Sequence, residues 1–390
     1  MRRILVFVIV VAVLAVAAVA IATESPVLSP REQLGKSIFF DENLSLNGNQ
    51  SCASCHDPAA GWTGPHSDVN ATVVVYEGSV PGAFGDRKPP SSAYATFAPV
   101  LHYQKGGLFV GGNFWDGRAT GERLGNPAAE QAQGPFLNPV EQALLTEYDV
   151  VSRVVAAAYP VTYSDVFGPV DLGDPDAVLA AYDKIAYAIM SYEASAESNA
   201  FTSKFDAVQA GTATFTKEEK KGFNLFSGKA KCGKCHIAKA KKGEPVLFTD
   251  FTYDNLGIPK NPDLPIYAVD PDFIDYGLGG FLASRLDYAP FAEENIGKHK
   301  VPTLRNVDLR PYEGFVKAYG HNGYFKSLEE IVHFYNTRDV PGEGWMGEPW
   351  PAPEVPETVN TAELGNLKLT AEDEAAIVAF MKTLSDGWTP

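Results

Sequence analysis

Residues 47–62 read NGNQSCASCHDPAAGW, and at their centre Cys52-Ala53-Ser54-Cys55-His56 forms a C-x-x-C-H unit. The pattern returns as Cys232-Gly233-Lys234-Cys235-His236, and the two copies use every cysteine in the chain. Four cysteines could form two disulfides in an oxidising compartment, but each pair is followed directly by histidine. At this spacing two thiols add to the vinyl groups of a haem, and the adjacent imidazole becomes the proximal iron ligand. Thiol–disulfide enzymes do not need that histidine. A shared zinc site would require cross-pairing and leaves both histidines unexplained. The reading is two covalent c-type haems, attached through Cys52, Cys55, Cys232 and Cys235, with His56 and His236 on the irons.

The stretches before the two motifs match. REQLGKSIFF and KEEKKGFNLF each place Gly four residues before Phe, at Gly35/Phe39 and Gly222/Phe226, on an amphipathic helical pattern. Ser29 with Pro30 marks the start of the first helix, and Thr216 with Glu219 forms a capping box for the second. Helical patterns also run through PVEQALLTEYDVVSRVVAAAY, DPDAVLAAYDKIAYAIMSYEAS, SLEEIVHFYNTR (opened by Ser327) and TAEDEAAIVAFMKTLS (opened by Thr370). Val73–Phe97 and Pro245–Tyr288 are rich in Gly, Pro and aromatics and read as long loops. The expected fold is mainly α: two cytochrome c-like helical domains, each with one haem, long loops and little β-structure. Residues 23–205 form the first domain and 206–390 the second, with the boundary near Ala200–Thr216.

Arg2 and Arg3 precede an unbroken apolar run from Ile4 to Ala22, and Ala20-Ile21-Ala22 fits a cleavage site. Residues 1–22 therefore read as an export signal and place the protein in the periplasm. The rival is an uncleaved membrane anchor, since the run reaches the lower limit for a span. The formal net charge of −16 argues against nucleic acid as a partner. Against that background, nine lysines and only two acids lie between Lys217 and Lys242, around the second motif. This patch is either a solvated face or a docking face for an acidic partner.

The function of a haem depends on the side opposite its proximal histidine. Of the methionines, Met1 belongs to the leader, and Met190 and Met381 lie on apolar helical faces, as core residues do. Met346, in the loop GEGWMGEPW, stays open as a ligand. Beyond the haem motifs, GNFWDGRATG (112–121), QAQGPFLNPVEQ (131–142), KVPTLRNV (300–307) and HNGYFKSLEEIVHFYN (321–336) resemble the bacterial dihaem cytochrome c peroxidase superfamily, which includes the MauG proteins. The resemblance covers about residues 28–385.

That resemblance implies most of the remaining site. The first haem would react with H2O2, with Glu141 as the distal acid and Gln131 and Pro135 ordering water and limiting access. Trp115 would lie between the haems and pass electrons, with Arg118 pairing with a propionate or Asp116. Alone, Glu141 would read as a helix N-terminal charge and Trp115 as core. At the second haem, peroxidase members place a Met at the end of the LEE helix. Here that position is Tyr335, as in MauG, with His321 nearby; His333, two residues away, should point elsewhere. A phenolate would lower the potential, whereas Met raises it.

The chain departs from the family pattern in three places. The switching histidine of peroxidase members is replaced by Thr72, and His66 is either a displaceable ligand or a loop residue. DRKPPSS lacks the family's calcium-binding Asn, and the turn after TLRNV is longer. Calcium remains open through carbonyl ligands.

Three functions follow. In a MauG-type enzyme, the oxidising equivalents of peroxide are withdrawn from a Tyr or Trp of a partner protein; Tyr335 favours this reading. In a cytochrome c peroxidase, a small redox protein supplies electrons to reduce H2O2. A dihaem electron carrier or sensor is the third, and the distal-acid motif argues against it.

Overall fold

The computed structural model describes residues 27–104, 106–239 and 243–390. The leader expectation for residues 1–22 and the end of the lysine patch, Lys241 and Lys242, lie outside these residues. Among the described residues, seven helices of ten or more residues carry the fold. They are α1 (Pro30–Phe39), α2 (Pro127–Leu137), α3 (Glu147–Ala156), α4 (Pro175–Glu193), α5 (Lys217–Ser227), α6 (Leu328–Thr337) and α7 (Ala371–Lys382). Strand structure is limited to three antiparallel pairs of two or three residues per strand. The chain is thus mainly α, as expected.

The helix starts follow the local chemistry. Ser29 and Glu32 form a reciprocal capping box on α1, as do Thr216 and Glu219 on α5 and Thr370 and Asp373 on α7. Each pair satisfies backbone N–H groups that the first turn leaves without partners.

The repeated Gly–x3–Phe pattern has a packing reason. α1 crosses α4 where a Cβ on Gly35 would run into the Ala188 carbonyl; α5 crosses α7 where one on Gly222 would run into the Ala376 carbonyl. Glycine lets each pair of backbones approach, and the following Phe39 or Phe226 is then fully buried. Around these crossings lie two apolar cores. One contains Leu34, Phe39, Phe136, Ile185 and Tyr192; the other contains Phe226, Phe248, Phe325, Phe334 and Phe380.

Two expectations need correction. The segment read as one helix over 139–159 is helical only from Glu147 to Ala156. Residues 139–142 are turns, Ala143 has φ 60°, and Thr146 with Asp149 caps a fresh start. Glu141 therefore does not sit at a helix N-terminus. The stretch 245–288 is not all loop: short helices form at Ile266–Val269 and Gly277–Ala283, and Leu278 and Leu282 bury a small third core.

Candidate functional site

Each C-x-x-C-H unit is a tight 3-10 turn, Cys52–Ser54 and Cys232–Lys234, delivered by the helix before it. The proximal histidines are held alike. His56 Nδ1 lies 3.3 Å from the Trp62 carbonyl, and His236 Nδ1 lies 2.9 Å from the Phe248 carbonyl. Both carbonyl acceptors sit in left-handed backbone, Trp62 at φ 61° and Phe248 at φ 53°. An Nδ1–H bonded to carbonyl leaves Nε2 as the free ligand nitrogen. Burial pushes His56 down to about 4 and lowers His236, so both imidazoles are neutral, as iron ligation needs.

Two cavities open beside these histidines, enclosing about 1370 and 1510 Å³ of non-protein space with their mouths included. Each opens directly against its own C-x-x-C-H turn, where a large planar group would attach. The first is lined by Cys55 and His56, the second by Cys232, Cys235 and His236. Cys52 packs against the first core beside its cavity. All four thiols are free. Burial pushes Cys52 and Cys232 up to about 12, so these are not the low-pKa thiols of a redox enzyme.

Buried polar atoms without partners mark both cavity walls. Gln50 Oε1, Ser92 Oγ and Glu193 Oε2 are such atoms at the first, and the Nε2 atoms of His299 and His321 at the second. Orphaned buried groups are costly. His299 Nε2 has the Asp275 carboxylate 3.2 Å away at poor hydrogen-bond geometry, whereas His321 Nε2 has no acceptor nearer than Glu354 at 4.0 Å, and a haem propionate offers it one. The residues present fit two haems.

In the first cavity Glu141 and Gln131 share the wall with Arg118. Asn138 Nδ2 donates to Glu141 Oε1 at 2.8 Å, and burial raises the carboxyl above its ordinary value although Arg118 opposes this. Arg118 pairs with Asp116 at 2.8 Å, and its guanidinium lies 3.8 Å from the centre of the Phe114 ring. Pro135 is not on the cavity wall. Its carbonyl instead accepts from the backbones of Asn138 and Gln142, bracing the turn that carries Glu141. His66 is exposed and off the wall; the Tyr76 ring that does line the cavity packs against it, 5.8 Å between centroids.

In the second cavity Tyr335 and His321 come together with His236. The Tyr335 hydroxyl makes no hydrogen bond to the described residues, and burial keeps its pKa above the ordinary phenol value. Met346 is 91% exposed at the tip of the Gly344–Pro349 hairpin, away from this cavity. Met381, read as core, packs in the second core and also reaches the cavity wall. His333 faces away and pairs with Glu374 at 3.0 Å.

Trp115 is buried and lines both cavities. Sequence reasoning missed several groups around it. Lys88 and Lys300 also line both cavities. Arg87 ties Asp116 at 2.6 Å to Asp275, which it grips with two bonds of 2.6 and 2.7 Å. Asp275 in turn lies 3.2 Å from His299, whose ring stacks on His321 at 3.5 Å. Burial works against the Asp275 charge, but His299 and Arg87 hold its carboxyl well below the usual range. The only signal for His299 was its place beside KVPTLRNV; Asp275 and Glu193 carried none.

The model of the family described as di-haem cytochrome c peroxidase matches residues 29–214. Methylamine utilization protein MauG of Paracoccus denitrificans is 36% identical over 363 residues, covering 90% of this chain and 88% of that protein. Cytochrome-c peroxidase IdrP1 of Denitromonas iodatirespirans is 29% identical, covering 94% and 84%. Among solved structures, the diheme peroxidase BthA of Burkholderia thailandensis is 30% identical with a TM-score of 0.79, covering 92% of this chain and 89% of that one.

Proposed function

The chain belongs to the di-haem cytochrome c peroxidase family, haem-dependent oxidoreductases of peroxidase type with two c-type haems, and from that premise we propose a MauG-like role. In this reading H2O2 reacts at the first site, and the oxidising equivalents are drawn through Trp115 and the second site from a Tyr or Trp of a partner protein. The observation that carries it is the partly buried Tyr335, whose unpartnered hydroxyl shares the second cavity with His236.

When bound, the haems supply irons that exchange electrons and, at the first site, a position for peroxide. The chain's residues do the rest. Glu141 takes a proton from the incoming peroxide and returns it to the departing oxygen, a task suited to a carboxyl whose pKa burial has raised. Gln131 offers an amide to order water beside it, and Arg118 keeps a positive charge at the same wall. Trp115 lends an oxidisable ring to the partition, oriented by its bond to the Lys88 carbonyl. Tyr335 would hold the second iron through its oxygen, a ligand that would favour the oxidised metal and lower its potential.

The leader expectation supports a periplasmic protein, and no helix among the described residues is long and apolar enough to cross a membrane. The lysines of α5 and the turn after it offer a docking face for an acidic partner: Lys217, Lys220 and Lys221 of the helix and Lys229 beyond it rim a shallow depression with Phe215.

A second reading has its own observation. Met381 on the second cavity wall would suit a peroxidase taking electrons from a small cytochrome, since Met ligation raises the potential. Redox titration of Tyr335→Met and Met381→Leu separates the two. The MauG-like reading expects a raised second potential in the first variant and no change in the second; an unchanged potential in the first with a lowered one in the second favours the peroxidase.

A further inference from the structure

We infer that two of the chain's own ammonium groups, Lys317 and Lys88, take the place of a divalent cation beside the paired haem sites, so that the redox centres assemble without calcium. Lys317 is 4% exposed, yet its Nζ has no carboxylate partner among the described residues. It donates instead to three backbone carbonyls, Ala60 at 2.8 Å, Leu309 at 3.0 Å and Asn306 at 3.1 Å. Three hydrogens meet three oxygens, which is the geometry of a protonated amine in a cation cage. Such burial is costly unless every donor is used.

The cage joins the segment after the first haem motif to the turn after TLRN. Gly61 keeps it open: a Cβ there would come within 2.8 Å of Lys317 Nζ and 2.7 Å of the Asn306 carbonyl oxygen. Lys88 repeats the arrangement nearby. Its Nζ donates to the Pro89 carbonyl at 2.9 Å and to Thr63 Oγ1 at 3.1 Å, while its own carbonyl holds the Trp115 indole.

Calcium takes six to eight oxygens at about 2.3–2.6 Å. Here the carbonyls that could contribute already accept from lysine N–H groups, so no open oxygen set is left for calcium, even though burial lowers the pKa of both lysines. The metal-competent clusters among the described residues are Asp275 with His299 and His321, and Cys235 with Asp254 and Glu363. Both mix nitrogen or sulfur into the set, and both involve the second haem cavity or its attachment. The residues do not fit calcium.

The test begins with the purified full-length holoprotein, desalted from calcium-containing buffer and assayed for bound metal. Substoichiometric calcium is expected, with haem spectrum, both potentials and peroxide turnover unchanged by EGTA. One tightly held calcium per chain, or EGTA inactivation that calcium reverses, overturns the inference. In a second arm, Lys317→Ala should lower the thermal unfolding midpoint of the holoprotein, and added methylammonium should restore it. A variant indifferent to methylammonium overturns the assignment of the site as a cation cage. Should the variant not fold, the metal assay alone decides.

Discussion

The indole Nε1–H of Trp115 donates to the carbonyl of Lys88 at 2.8 Å, and both residues line both cavities. The bond fixes the ring in the partition, and Arg87 braces the same wall by gripping Asp116, next to Trp115, together with Asp275. An electron crossing between the sites therefore finds an oxidisable ring held in one orientation.

Trp115→Phe removes both that hydrogen bond and the more easily oxidised ring. Oxidation of a partner substrate should slow at least tenfold, or about 1.4 kcal/mol of added barrier. The initial reaction with peroxide should keep its rate. Rapid mixing with the two steps followed separately checks this; equal slowing of both would mean that the indole serves the first site and not the link.

Glu141→Gln keeps the shape of the side chain and removes the exchangeable proton. The peroxide reaction should fall by roughly a hundredfold or more. The pH dependence has a definite sign. Proton abstraction needs the carboxylate, so the wild-type rate rises as pH climbs through a pKa that burial has lifted above the ordinary value. The variant's profile should be flat over that window. A wild-type rate that falls with rising pH would remove Glu141 from this role.

Gly222→Ala forces a methyl group into the α5–α7 crossing at the Ala376 carbonyl. Overpacking of this kind costs about 1–3 kcal/mol, visible as a lower guanidinium midpoint. Gly85→Ala, where an added Cβ meets nothing within 4 Å, serves as the control and should change little. Equal midpoints for the two variants would show that the crossing can relax.

Most of the frame was legible because its signals are local. The capping boxes at Ser29, Thr216 and Thr370 lie within four residues of what they cap, and the haem motifs are five residues long. The missed helix α2 carries Gly134 and Pro135, which argue against a helix. Its start is nonetheless set by the Asn126 cap and by Pro127 in the first turn. The false helix over 139–146 had the right apolar spacing, but the backbone reverses at Ala143 and Thr146 begins again. The second cavity was the least legible part. Asp275, His299 and His321 come from separate segments, and only the packing of the chain puts them side by side. Lys317 was hidden for the same reason, since its three carbonyl partners carry no side-chain identity to read.

The central claim is a pair of wired haem sites, the first open to peroxide and the second closed by Tyr335. His66 stands outside the first cavity, so the account expects no displaceable histidine from that segment to close it in the oxidised protein. Stopped-flow mixing of the fully oxidised holoprotein with H2O2 is the most direct test. The expected result is an immediate spectral reaction without prior reduction, involving both haems and altered at the second by Tyr335→Met. An oxidised form that stays inert until one electron is added, with or without that substitution, would contradict the account.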